Sequence, residues 1–229
     1  MASPHLTPKE TWRYRQLFGA IIFLFFATSF LELNAFWTLV LSILLSVTTL
    51  LAIRTFPLAT FTKVSLRLLL FLALGINLVQ ESPALPNLSL GLQVLSSALY
   101  ALFLGLTILF LSQRFLQVTD VNTDVIIGSV SVYLLLGIFW FILYDILLNF
   151  NPDAFKGLGA PLRQSQNSLL YFSFTTLTTL GFGDITPVHP AAMGLANLEA
   201  IAGQLYPAIL IARLVSLFSV QQEEELPPE

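Results

Sequence analysis

Seven consecutive residues, Thr178-Thr179-Leu180-Gly181-Phe182-Gly183-Asp184, have types and spacing that could do chemistry. Glycine adopts left-handed backbone angles without steric cost, and here Gly181 and Gly183 alternate with larger residues. Alternating such angles along a strand turns successive carbonyl oxygens toward one axis. Backbone carbonyls around an axis form an oxygen cage comparable to the water shell that a dehydrated cation has lost. Other chemistries lack their residues. The chain has no cysteine, which excludes disulfides, thiolate metal sites and thiol catalysis. Its two histidines, His5 and His189, stand far apart and make no metal-ligand spacing. No catalytic cluster or phosphate loop is present, so an enzyme is not expected. A net charge of −3 excludes a basic nucleic-acid surface, and no nucleic acid is expected as a partner.

The elements that must position this segment are membrane helices. Of 229 residues, 56% are hydrophobic and 10% charged, far below the roughly 25% charged of soluble domains. A mean hydropathy of +0.82 agrees. The apolar runs are continuous rather than alternating, which argues for helices and against a barrel. Spans of about 20 residues are expected at Leu17–Leu33, Phe36–Ile53, Val64–Leu78, Leu88–Leu111, Asp124–Leu148 and Pro190–Val220. The first follows Lys9, Arg13 and Arg15 like a signal peptide, but it lacks a small-residue cleavage site and reads as a retained helix. Threading six spans puts Lys9, Arg13, Arg15, Arg54, Lys63, Arg67 and Arg114 on one side, with Lys156 and Arg163 on the other. The positive-inside rule then predicts cytoplasmic termini.

Between the last two spans, Asn151 to Asn167 is polar and rich in Gly and Pro, and Ser168 to Thr178 is a short run of helical length. An outer helix, a half-length helix, a Gly-containing strand and an inner helix are what a re-entrant pore loop requires. Over about Asp124 to Val220 the sequence resembles the pore domain of the potassium channel family, whose filters read Thr-x-Gly-(Tyr/Phe)-Gly-Asp. Here that is Thr179-Leu180-Gly181-Phe182-Gly183-Asp184. The resemblance implies that the carbonyls of Thr179, Leu180, Gly181 and Phe182 line a K+ path, with the Thr179 hydroxyl closing its inner end. It also implies that Leu180 and Phe182 point away from the axis and that Asp184 sits at the outer mouth. Leu180 stands where many members carry Val. Phe182 replaces the commoner Tyr, which removes a hydrogen bond worth about 1 kcal/mol behind the filter.

Several supporting residues follow from the same resemblance. Tyr171 and Phe172 fall where relatives often brace the filter with aromatics, although ordinary packing would also place them there; Thr175 and Thr178 belong to the same support. Gly203 and Pro207 lie where relatives bend the inner helix to open a gate, and glycine also serves close helix packing. Glu199 is an intramembrane charge, expensive unless functional. It either braces the half-helix through its threonines or faces the cavity. Asp145 needs snorkelling or a local partner. His189 is either an external pH sensor or a solvated turn residue.

The expected architecture is an all-α membrane protein of six spans plus a pore helix and filter. Its parts are a cytoplasmic N-terminus (1–16), a four-helix membrane domain (17–112), a cytoplasmic linker (113–123), the pore domain (124–220) and a cytoplasmic tail (221–229). One pore loop supplies a quarter of a cage, so the expected partners are three further copies, alongside membrane lipids and permeant K+, with no other cofactor. The fourth span contains no Arg or Lys, which excludes a conventional voltage sensor. Gating must then act through the membrane, the filter, the chain ends or an unidentified regulatory partner. A prokaryotic plasma (inner) membrane fits the cysteine-free, compact build. The competing readings are a weakly selective monovalent cation channel, a secondary transporter with one re-entrant segment, and a nonconducting sensor subunit.

Overall fold

Helix α1, Leu90–Gln117, and helix α2, Thr123–Phe150, are each 28 residues long, about 42 Å, and pack side by side. A computed structural model describes residues 90–117, 123–158 and 162–225, together with 15–16, 18–23, 47, 64, 68 and 70–76. The expected spans 17–33, 36–53 and 64–78 lie outside the described residues except for helical pieces at 18–23 and 70–76. Among the described residues, three helices are long and apolar enough to cross a membrane: α1, α2 and the last helix.

After α2 the chain forms strand β1, Phe155–Lys156, then helix α3, Leu162–Leu177, strand β2, Thr186–Pro187, and helix α4, Pro190–Glu225. At 16 residues α3 is about 24 Å long, short of the roughly 30 Å of hydrocarbon. At 36 residues α4 is about 54 Å long and must project beyond the bilayer. His189 caps it: its Nδ1 accepts from the Ala191 amide at 3.2 Å, just before Pro190, whose fixed φ suits a first helical position. The histidine expected as a pH sensor or a bare turn residue thus has a structural task.

Three boundaries differ from expectation. The expected connector 113–123 is shorter, because α1 stays helical past Arg114 to Gln117, with Phe115 buried. The half-helix starts at Leu162 rather than Ser168: residues 162–177 contain no Gly or Pro, so their polarity does not interrupt the helix. Helix α4 continues to Glu225, so the first residues of the expected tail are helical.

Helix α2 is buried on two sides, as expected of a helix that is apolar all round. One side packs with α1, where Tyr100, Leu104, Ile108 and Leu111 meet Val125, Val132 and Leu135, joined by Ile21, Leu70 and Ala73. The other side, with Trp140, Tyr144 and Leu148, packs with Leu169, Phe172 and Leu177 of α3, Phe155 and Ala192. Asp145 has a local partner, since the Ser97 hydroxyl of α1 donates to its Oδ2 at 3.4 Å. The antiparallel pair β1–β2 joins the segment before α3 to the segment after the glycines, with Phe155 opposite Pro187 and Lys156 opposite Thr186. Two further amides, Val188 and His189, donate to the Ala154 carbonyl at 2.9 and 3.2 Å and continue that tie.

Candidate functional site: the loop after the short helix

The loop that follows α3 folds back onto the helix it leaves. The Thr178 amide donates to the Phe174 carbonyl at 3.0 Å and the Thr179 amide to Thr176 at 2.9 Å. The amides of Leu180 and Gly181 both donate to the Thr175 carbonyl, at 2.8 and 3.1 Å. These bonds satisfy carbonyls that every helix C-terminus leaves without partners. They also set direction. In a trans peptide the N–H and C=O point to opposite sides, so the carbonyls of Thr178, Thr179 and Leu180 face away from α3. Positive φ recurs at every second residue: 56° at Thr179, 51° at Gly181 and 80° at Gly183. Glycine takes this conformation freely. Thr179, a β-branched residue, takes it under strain, and its amide bond to the helix end holds it there.

Side chains on three helices fix the base of this loop. Glu199 of α4 is fully buried. Its Oε2 accepts from the Tyr144 hydroxyl of α2 at 2.5 Å, and its Oε1 accepts from Ser173 of α3 at 2.6 Å. Ser173 Oγ also lies 2.7 Å from the Gly137 carbonyl of α2. The carboxyl therefore joins all three helices, through a serine and a tyrosine rather than through threonines. Below it, the Leu177 carbonyl at the end of α3 accepts from the Tyr133 hydroxyl at 3.2 Å. Gly203 of α4 presses on that same carbonyl. A Cβ at position 203 would lie 1.9 Å from it, so no side chain fits without movement of backbone. This close approach alone requires glycine there.

The aromatic pair of α3 divides its work. Tyr171 stacks on Phe182 with ring centroids 6.3 Å apart and planes 5° from parallel, so it meets the loop directly. Phe172 faces the other way and packs edge-on with Tyr144 and Phe155 at 5.2 and 5.3 Å. Thr175 and Thr178 bond within α3, their hydroxyls donating to Phe172 and Phe174 carbonyls at 2.9 and 2.7 Å. The Asp184 carboxylate accepts from the Ile185 amide at 3.0 Å. Helix α4 runs unbroken through Gly203 and Pro207. Proline has no amide hydrogen, so the helix lacks the bond that position 207 would make to the Gly203 carbonyl four residues earlier. Tyr206 beside it stacks on Tyr133, with centroids 6.0 Å apart, and donates to the Ser129 carbonyl at 2.9 Å.

This geometry runs from α2 to α4, and residues 129–220 match the ion channel family. That stretch, 92 of the 229 residues, is similar to ion channel domains. Protein LctB of Geobacillus stearothermophilus is 36% identical over 66 residues, which cover 29% of this chain and 48% of LctB. The matched stretch thus spans about half the length of that relative. No solved structure matches the chain.

Sequence reasoning missed Tyr133, Tyr144, Ser173 and Gln204, all of which bond within residues 129–220. A buried acid in an apolar helix signals that polar partners exist. Nothing in the sequence says which of the many hydroxyls they are.

Proposed function

We propose that this chain is one subunit of a potassium-selective channel in a prokaryotic plasma (inner) membrane, with four copies around one axis. The observation that carries this reading is the alternation of positive φ at Thr179, Gly181 and Gly183 with amides tied back to α3. Four such loops would aim rings of carbonyls from Thr179, Leu180, Gly181 and Phe182 at a common path, with Thr179 hydroxyls at its inner end. Gly183 turns the strand outward and Asp184 stands at the mouth.

Exposure supports assembly. Leu180 and Phe182 are 58% and 66% exposed in a single subunit, although both flank the ion path. Leu198, Ile201, Leu205 and Ile209 form an uncovered apolar stripe on α4. Neighbouring subunits and lipid would cover these surfaces. Orientation has independent support from Arg15, whose Nε lies 3.5 Å from Asp124 Oδ1. That contact supports the reading in which the N-terminal segment and the start of α2 lie on one side of the membrane, with an even number of crossings between them, as four spans would give. In this account Tyr171, Phe172, Thr175, Thr178 and Glu199 support the filter. The pair Gly203–Pro207 is the point at which α4 would bend, because one helical bond is already missing there. Helix α1 carries no basic residue through its membrane-spanning part, so membrane voltage is not read there in the conventional way.

Purified full-length protein in liposomes is expected to release K+ down its gradient in a flux that barium blocks. Absence of such flux at every voltage, pH and lipid composition tried would overturn the reading as a stand-alone channel.

A further inference from the structure

Gln204 follows the tight contact at Gly203 and brings its side-chain amide to the inner end of the loop. Its Nε2 lies 2.9 Å from Thr179 Oγ1. The Thr179 hydroxyl donates its proton to the Thr178 carbonyl at 2.7 Å. A hydroxyl has one proton and two lone pairs, so toward Gln204 it can only accept. This assigns the amide: the NH2 end, not the oxygen, faces the threonine. One lone pair of Thr179 Oγ1 is taken by Gln204, and one is left to face an ion. The hydroxyl is therefore held in a single orientation by two hydrogen bonds of its own, one of them from the inner helix.

We propose that Gln204 is a positioning residue for the innermost cation site, where it orients the Thr179 hydroxyl from α4. The inference rests on the reading of Thr179 as an ion ligand. With the donor removed, the hydroxyl keeps only its bond to the Thr178 carbonyl and regains a second lone pair, so the geometry of the site is held less tightly. Because Gln204 adjoins Gly203, any displacement of α4 at that level carries the donor with it, so occupancy of the innermost site follows the position of the inner helix.

The test is a double-mutant cycle on barium block, using the full-length protein in planar bilayers with barium on the cytoplasmic side. Barium is a divalent cation close to K+ in size and reports on the innermost site. Gln204→Leu is expected to weaken block about fivefold, the size of one net hydrogen bond. Thr179→Ser keeps the hydroxyl, and on that background Gln204→Leu should retain its effect. Thr179→Ala removes the hydroxyl, and there Gln204→Leu should change block less than about twofold, since the interaction it breaks is already gone. If Thr179→Ala carries no current, Thr179→Cys replaces it, because a thiol is a weak acceptor. A protein that merely needs Gln204 for packing would show the same effect on every background. Equal block in wild type and Gln204→Leu, or an effect of equal size without the hydroxyl, overturns the inference while leaving the channel reading intact. A wild-type chain that carries no K+ current removes that reading, and the inference with it.

Discussion

Alanine at position 181 is expected to reduce potassium flux to background while the protein still folds and inserts. Within the subunit the effect is conformational rather than steric, because nothing in the chain lies within 4 Å of a Cβ built at Gly181, whose φ is 51°. A residue with a Cβ in the left-handed region is destabilised by about 1–2 kcal/mol. Four subunits would bear that strain in one small ring, beside Thr179, which already holds φ 56°. Rotating the peptide relieves it, and the rotation turns a carbonyl away from the axis. The Gly181 amide bond to the Thr175 carbonyl at 3.1 Å would break in the same movement. Flux from liposomes carrying equal amounts of wild type and Gly181→Ala measures this directly. Retained wild-type flux would mean that the Gly181 conformation is not needed for permeation.

Removing the buried carboxyl of Glu199 should weaken the protein strongly. Glu199→Ala leaves the Tyr144 hydroxyl without its acceptor among apolar neighbours, at about 1–3 kcal/mol. The missing side-chain volume adds a cavity term of comparable size. Glu199→Gln behaves differently. The amide oxygen can still accept from Tyr144, and its NH2 can donate to Ser173 Oγ, whose own proton then goes to the Gly137 carbonyl 2.7 Å away. Thermal unfolding in detergent is expected to show a large drop in Tm for alanine and a small one for glutamine. A glutamine variant as unstable as alanine would show that the negative charge, not the hydrogen-bond geometry, holds the three helices together.

The two predictions differ in how far the sequence foretold them. Gly181 and Gly183 were legible because a strand with alternate left-handed angles tolerates few residue types, so chemistry shows directly in composition. Helices α1, α2 and α4 were legible as spans because hydrocarbon selects for long apolar runs. Which way their side chains face was not. A helix that is apolar all round carries no periodic signal of its buried face. For that reason Glu199 could be recognised as needing partners while Tyr144 and Ser173 could not be chosen over the threonines. The same ambiguity hid Gly203. Its contact with Leu177 lies 26 positions back in the chain and depends on how α3 meets α4, so the sequence leaves a helix bend and close packing both open and does not say which backbone the glycine touches. The early start of α3 is not legible because polarity suggests a loop, whereas backbone geometry needs only the absence of Gly and Pro. The first three expected spans fall mostly outside the described residues and stay expectations of the hydropathy pattern.

Potassium selectivity is the central claim, and a bi-ionic reversal potential tests it most directly. Full-length protein in a planar bilayer would face K+ on one side and Na+ at equal concentration on the other. The expected reversal potential is displaced from zero by more than about 59 mV in the direction of K+ preference, corresponding to at least tenfold selectivity. Barium-sensitive current that reverses near 0 mV would contradict it and identify a weakly selective cation pore built on the same loop.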